Sequence, residues 1–532
     1  MNAIATNNEA GQAELGHEQL AVFNPATRET IGSVPIFSAA EIAAAVDRAR
    51  KAQPRWAATP VRERMAIIRR FQQLLCDQKD AVCEVITREA GKPLAEALST
   101  EILVVLDGAQ YLLDNVPAFL RPEHIPHSNL AMKLKRGTLL REAYGVIGII
   151  SPWNYPFSLP SVQTITALAM GNAVVLKPSE FTPFTSLELQ RLLREAGLDP
   201  DLLQVVTGEG AAGVALLQAN IDKMIFTGSV ATGKKVAQAA AARLLPIVLE
   251  LGGKDPMIVM EDADVEVASS AAVWGAFMNA GQTCLSVERC YVHESIYEKF
   301  LQACVEKTNK LRSGNGTDAN TDIGPMIHER QLRTVQIHID DAIAHGARVL
   351  TGGKPLTQLG PSFFAPTILA DVTHSMAIMR EETFGPVLPV RSFKNDDEAV
   401  ALANDSDFGL AASVWTRNKR RGESLARRIN AGSVLVNDVV CSFGISEAPH
   451  GGIKASGIGR THGRFGLEEM VWPKYVDSDQ MPGMKKLWWY GYGPGFRTQM
   501  QGFIELLFAG NFTKRVRGGG KSIKSFLGRK PR

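Results

Sequence analysis

The chain has 532 residues, 45% hydrophobic and 21% charged, enough for two or three soluble globular domains with sizeable cores. Its net charge of +3 hides an asymmetry. Lys485 to Arg532 carries 11 Lys+Arg against one acid, Glu505, a net of +10 that leaves −7 on the first 484 residues, so any charged partner belongs to the tail. The polar start MNAIATNNEAGQAELGHEQ lacks the basic and apolar parts of a signal peptide, and no apolar run reaches the roughly 18 residues needed to span a bilayer. The six cysteines, at 76, 83, 284, 290, 304 and 441, show no CxxC or paired Cys/His spacing. This argues against a disulfide framework or a zinc site and for a reducing, cytoplasmic setting; the ten histidines show no metal spacing either.

In chain order, Ser38 and Glu41 form a capping box that opens a helix with Ile42, Val46 and Ala49 on one face. A second helix begins near Pro60, with Met65, Ile68, Phe71 and Leu75 as its stripe, and residues 79–114 also read as helical. From about 144 the pattern changes to short apolar runs separated by helical stretches: 144–152, 173–179, 202–208, 224–229 and 245–253. Strands buried on both faces read this way, and their alternation with helices predicts a doubly wound α/β domain. A second α/β set follows, with strands at 256–260, 289–293, 411–416 and 433–438 and a helix over 263–279. Residues 130–143 and 471–476 fit neither set and read as exposed strands that pair between subunits.

Three glycine loops compete for a phosphate. GEGAAG (Gly208 to Gly213) matches G-x-G-x-x-G literally, but Asp222 comes too early to be its ribose acid. TGSVATG (Thr227 to Gly233) also joins a strand to a helix and would aim backbone N–H groups and the Ser229 hydroxyl at a pyrophosphate. GGGKS (518–522) fails as a nucleotide loop because the required first glycine is Arg515.

Chemistry gathers at predicted strand ends: Asn154 in SPWNYPFSLP, Lys177 and Glu180 in VVLKPSE, Glu250 in LELGGKDP, Cys284 in FMNAGQTC, and Glu382 and Phe384 in EETFGPV. A carboxylate between PIVL and a glycine pair is costly to bury without a task. This set, with 34 residues between Glu250 and Cys284, resembles the NAD(P)-dependent aldehyde dehydrogenase superfamily from about residue 22 to 460. The resemblance implies a Rossmann-like cofactor domain, an α/β catalytic domain and a small β bridging element that builds dimers or tetramers. The corresponding boundaries are 1–20 for a polar tail, 21–124 with 144–252 for the cofactor domain and 253–452 for the catalytic domain. The bridging element takes 125–143 with 466–483, and 484–532 is an aromatic and basic extension.

The resemblance further implies that Cys284 attacks the aldehyde, that Asn154 and the Cys284 backbone N–H hold the oxyanion, and that hydride leaves to a nicotinamide. Glu250 then activates water against the Cys284 thioester. Help for the thiol is expected from a helix N-terminus or from Glu250. Lys177 and Glu180 would hold the adenosine ribose, Gly228, Ser229 and Gly233 the pyrophosphate, and Glu382 the nicotinamide ribose, with Phe384 by the ring. Glu180 favours NAD, since a carboxylate repels a 2′-phosphate, while Lys177 leaves NADP open. Trp153, Phe157, Phe277 and Leu285 are expected to wall the substrate tunnel. Two departures stand out: Thr461 where the family often has Glu, and His450, expected to border the tunnel, where it often has an aromatic. Two rival readings are an enzyme that passes the thioester to CoA and a non-catalytic homologue that keeps the fold. The extension, with LWWYGYGPGF, FIELLFAGNF and a basic end bearing Ile523, Phe526 and Leu527, reads as a peripheral attachment to the inner face of a membrane, suited to a hydrophobic aldehyde. An arm on a partner subunit and a nucleic-acid contact are the other readings of it.

Overall fold

The computed structural model describes residues 18–129, 132–484, 486, 488–490, 492–493 and 495–527. It divides into two units, Met1–Pro122 with Leu140–Lys474, and Glu123–Leu139 with Tyr475–Arg532. The chain begins with an antiparallel hairpin, β1 (Gln19–Phe23) and β2 (Thr30–Pro35). The helix Ala39–Ala58 then opens as expected: the Ser38 hydroxyl accepts from Glu41 N at 3.3 Å, and the Glu41 carboxylate accepts from Ser38 N at 2.8 Å. Helix Val61–Asp77 follows. The helical reading of 79–114 holds in parts. Lys79–Ala90 ends at Gly91, whose φ of +76° suits only glycine without strain, and a π turn Ala97–Ile102 precedes helix Leu103–Phe119.

Strands β3 (Glu123–Ile125) and β4 (Lys135–Ala143) pair antiparallel. Next come β5 (Val146–Ile150), β6 (Ala173–Lys177), β7 (Leu203–Val205), β8 (Lys223–Thr227) and β9 (Ile247–Glu250). The second set is β10 (Asp255–Val259), β11 (Val287–His293), β12 (Arg348–Thr351), β13 (Thr367–Ala370), β14 (Val387–Phe393), β15 (Ala411–Trp415) and β16 (Ser433–Val436). The short β17 (Gly457–Ile458) and the long β18 (Val471–Asp479) complete the strands.

The first main sheet has the order β17-β9-β8-β5-β6-β7 and is parallel apart from β17, which lies antiparallel on β9 with Gly457 opposite Glu250. The chain winds outward from β5 to β6 and β7, then returns to β8 on the other side of β5, so the strand order reverses between β5 and β8. That reversal opens a crevice at the carboxyl ends of the two strands. The second sheet has the order β12-β13-β14-β11-β10-β15-β16 and is parallel except for β12. Each sheet carries its own apolar core, the first around Ile147, Val175 and Ile225, the second around Ile258, Tyr291 and Val390. A third sheet has the order β18-β4-β3, and past Val471 nearly every residue of β18 is exposed.

Strands β13 and β14 are absent from the sequence reading. β13 is four residues long behind Pro366, and β14 carries Pro389 in its interior, a residue that normally argues against a central strand.

Candidate active site between the two sheets

Six strand ends carry the candidate site residues. Ser151 to Asn154 continue β5, Lys177 closes β6, Gly228 and Ser229 follow β8, and Glu250 closes β9. Cys284, Glu382 and Phe384 sit differently from the sequence expectation: they precede the amino ends of β11 and β14. The carboxyl ends of the first sheet supply one half of the site and the amino ends of the second supply the other.

The glycine pair after Glu250 explains how the halves meet. A Cβ on Gly252 would collide with the Glu382 carboxylate, and one on Gly253 would stand 2.5 Å from the Cys284 carbonyl oxygen. Gly253 N also donates to Glu382 Oε1 at 3.0 Å. Only bare backbone fits where the chain leaving β9 passes both Cys284 and Glu382.

Cys284 is presented by an unusual turn. Helix Val265–Phe277 ends, and Asn279, Ala280 and Gly281 all take positive φ (+53°, +55° and +72°). Asn279 Nδ2 donates to the Asn154 carbonyl at 2.9 Å and to Gln282 O at 3.2 Å, and Asn154 Nδ2 donates to the same Gln282 O at 3.0 Å. One amide hydrogen of Asn154 is thereby spent on orientation and one is left for a ligand. The Gln282 side chain is pinned by Ile327 N at 2.9 Å, and the Tyr155 and Thr283 hydroxyls bond at 2.8 Å. Behind them a buried Lys92–Glu101 pair (2.6 Å) turns the Glu101 carboxylate onto the N–H groups of Phe157 and Ser158.

The Cys284 thiol is half-buried. It follows a helical turn and precedes a strand, so Cys284 does not itself open a helix. Burial and the carboxylates of Asp255, Glu250 and Glu382 push its pKa up. Glu250 is buried and accepts from Thr461 Oγ1, from Gln163 Nε2 at 3.4 Å and from Thr227 Oγ1 at 3.5 Å. Burial lifts its pKa to about 7, against the pull of these donors. Thr461 in turn touches His462 Nδ1 at 3.1 Å and exchanges main-chain hydrogen bonds with His450, which packs edge-on against Phe443. His450 is thus a buried prop behind Glu250. Replacing Thr461 by Val removes a donor that favours the ionised carboxylate. The apparent pKa of Glu250 should then rise, and the rising, acid-side limb of a pH–rate profile should move to higher pH.

Of the nucleotide candidates, Lys177, Gly228 and Ser229 stand at the carboxyl ends of β6 and β8, the two neighbours of β5. Lys177 is buried, its Nζ 3.5 Å from Glu180 Oε2, and burial lowers its pKa. Ser229 caps helix Val230–Ala241, accepting from Thr232 N at 3.3 Å. Gly233 has a packing duty as well, since a Cβ there would stand 2.5 Å from Leu251 Cδ2. Glu382 is held at a pKa of about 8 by burial and by Glu288. Phe384 takes a φ of +52° and meets Trp153 edge-on at 5.5 Å. Its N–H and that of Thr383 donate to Glu288 (2.8 and 2.9 Å), which pairs with buried Lys254 at 2.5 Å. GEGAAG follows β7, the edge strand farthest along the sheet from β9, and lies off the reversal.

Several partners were not legible as such: Gln163, Thr227 and Thr461 around Glu250, Asn279 and Gln282 behind Cys284, and the Lys254–Glu288 pair. Two adjacent charges opening the apolar strand VERCYVH were the available signal for Glu288. Of the expected tunnel walls, Trp153 keeps accessible surface, whereas Phe157 lies in the first core and Phe277 and Leu285 in the second.

The model of the aldehyde dehydrogenase family matches residues 12–476. The chain belongs to that family. A 4,4'-diapolycopene aldehyde oxidase of Methylomonas sp is 38% identical over 95% of each chain. A Mycolicibacterium smegmatis protein, provisionally named an NADP(+) succinate-semialdehyde dehydrogenase, is 41% identical over 83% of this chain and 85% of its own. Among solved structures, the NAD-dependent aldehyde dehydrogenase from Sinorhizobium meliloti has a TM-score of 0.85 and 38% identity, covering 89% of this chain and 93% of that one. The recognition from Cys284, Glu250, Asn154 and their neighbours, and the α/β fold expected with it, agree with these matches.

Proposed function

We propose that this aldehyde dehydrogenase oxidises an apolar aldehyde to the free acid with NAD(P)+, through a thioester on Cys284 that Glu250 hydrolyses. The single observation that carries the reading is the glycine pair at 252–253. It holds the Cys284 backbone and the Glu382 carboxylate against the stretch of chain that directly follows the buried Glu250.

The Cys284 thiol gives its proton to solvent water and its sulfur adds to the carbonyl carbon, which leaves Glu250 ionised for the later step. The carbonyl oxygen becomes an alkoxide, met by the free Asn154 amide hydrogen and the Cys284 N–H. Bound nicotinamide supplies the acceptor for the hydride lost as the thioester forms. Glu250 then takes a proton from water as the C–O bond forms and the C–S bond breaks, which returns the thiolate and releases the acid. Asn154→Ala should cost roughly a hundred- to a thousandfold in kcat, the usual loss for one oxyanion donor. A rate within threefold of wild type would remove Asn154 from this role.

The crevice suits a dinucleotide: the capped N-terminus of Val230–Ala241 presents free N–H groups to a pyrophosphate, and Gly228 leaves its approach open. Lys177 and Glu180 would hold the adenosine ribose, and Glu382 the nicotinamide ribose beside Phe384. Glu180 favours NAD, and the relatives include users of either dinucleotide. Glu250 weighs against a CoA-acylating enzyme, which has no need of a base for water.

The apolar class rests on coverage. The Methylomonas relative leaves about 5% of this chain unmatched, fewer residues than 484–532 contains, so its likeness reaches into the extension, whereas the Mycolicibacterium relative leaves 17%. That second relative favours a small semialdehyde as the other reading. NADH or NADPH formation across aldehydes graded in length, with succinate semialdehyde beside them, separates the two. A kcat/KM rising with apolar length supports the first, and a preference for the semialdehyde overturns it. The exposed Trp472, Tyr475 and Val476 of β18 fit a dimer or tetramer built on that strand.

A further inference from the structure

Residues 496–527 form a helical hairpin, Phe496–Phe508 and Phe512–Leu527. Its helices meet backbone to backbone. A Cβ on Gly502 would stand 2.5 Å from Gly518 O, and one on Gly518 would stand 2.5 Å from Glu505 Cβ. Lys521 pairs with Glu505 at 3.2 Å across this seam. Small residues at the crossing allow a tight pair, so the side chains of the second helix are left for its other faces.

Those faces are sorted by chemistry. Phe512, Val516, Gly519 and Ile523 follow one another at four, three and four residues and therefore share one stripe. Phe512 is 80% exposed and Ile523 61%, with Val516 between them at 58%. Phe508 and Ile504 of the first helix add 74% and 55%. The same helix carries five basic residues and no acid among Phe512–Leu527. Lys514, Arg517 and Lys524 are exposed away from the apolar stripe, and Arg515 stands on its border. Trp488, Trp489, Tyr490 and Tyr492, all exposed, precede the hairpin. None of the helices described is long and apolar enough to cross a membrane.

We propose that this hairpin is a membrane-surface anchor whose apolar stripe enters the headgroup boundary of an anionic bilayer. Several features favour lipid over another occupant. An amphipathic helix with a full basic complement and no acid is matched by a surface of uniform negative charge. Trp and Tyr prefer the level where headgroups meet acyl chains. A polar protein surface would leave five large apolar side chains without cover. The proposal stands apart from the assigned chemistry, because lipid binding is read without turnover.

Flotation of the full chain with vesicles of phosphatidylglycerol and phosphatidylcholine, against phosphatidylcholine alone, tests it. Wild type should float with the anionic vesicles at least about tenfold more tightly than with neutral ones, and less so as salt rises. Lys514, Arg517 and Lys524→Gln together should erase that preference. Phe512, Val516 and Ile523→Ser together should abolish flotation on both vesicles. NADH formation with a short soluble aldehyde should be unchanged in each variant, which shows that the catalytic body is folded. No flotation of wild type, or equal flotation of all three proteins, overturns the proposal. So does a stripe variant that changes only the oligomer mass, which would mark a contact between copies. Binding to DNA without binding to vesicles would overturn it as well.

Discussion

Cys284→Ala is expected to abolish aldehyde-dependent NADH formation, with a loss on the order of 10⁴-fold or more, the scale seen when a covalent nucleophile is removed. Dinucleotide affinity should stay within a few-fold, because the residues assigned to the ribose and pyrophosphate lie on other strands. No other cysteine can stand in. Cys83, Cys290 and Cys304 are buried in the cores, Cys76 lies on the surface, and the pKa of Cys441 is pushed up to about 11 by burial and by the neighbouring Asp438. Steady-state NADH absorbance and a dinucleotide titration by fluorescence measure both halves of this expectation. Retained turnover in Cys284→Ala would mean that the aldehyde is oxidised without passing through this sulfur.

The second large effect belongs to Glu250→Gln. The variant should still form about one NADH per site in a rapid first phase, then slow by a factor of roughly 10²–10⁴, because thioester hydrolysis has lost its base. Its pH dependence gives the sign. Burial holds the wild-type carboxyl at a pKa of about 7, and only the ionised form can take a proton from water. Wild-type turnover limited by hydrolysis should therefore rise with pH through about 7 and then level off, and Glu250→Gln should lose that limb. Stopped-flow NADH absorbance between pH 6 and 9 reads the burst and the limb together. A variant without burst would place Glu250 at the first addition instead, as acceptor of the thiol proton. That outcome is physically open because nearby carboxylates raise the Cys284 pKa and make its deprotonation the harder step.

What was legible in the sequence was mostly local. The Ser38–Glu41 capping box and the buried runs of β5, β6 and β8 depend on neighbours within a few residues, and each stands where the pattern put it. Glu250 and Cys284 were visible because a carboxylate and a thiol sat in contexts that packing alone did not explain. The side from which each residue enters was not readable. Cys284 and Phe384 precede their strands, a fact set by how two sheets face each other. The partners of Glu250 were equally hidden: Thr461 reaches it across 211 residues of chain, because β17 returns to lie on β9. Gln163 looks like an ordinary polar residue in a helix until the sheet beneath brings Glu250 under it. Glycines read better in retrospect, since Gly252 and Gly253 register contacts with Glu382 and Cys284 that no local rule specifies.

The most direct measurement is the mass of Glu250→Gln after mixing with an aldehyde and the oxidised dinucleotide, followed by peptide mapping after acid quench. An increment equal to the acyl group, on the peptide that carries Cys284 and absent when the dinucleotide is left out, is the predicted result. An unmodified Cys284 peptide at a time when NADH has already formed stoichiometrically, or an acyl group on any other side chain, would contradict it.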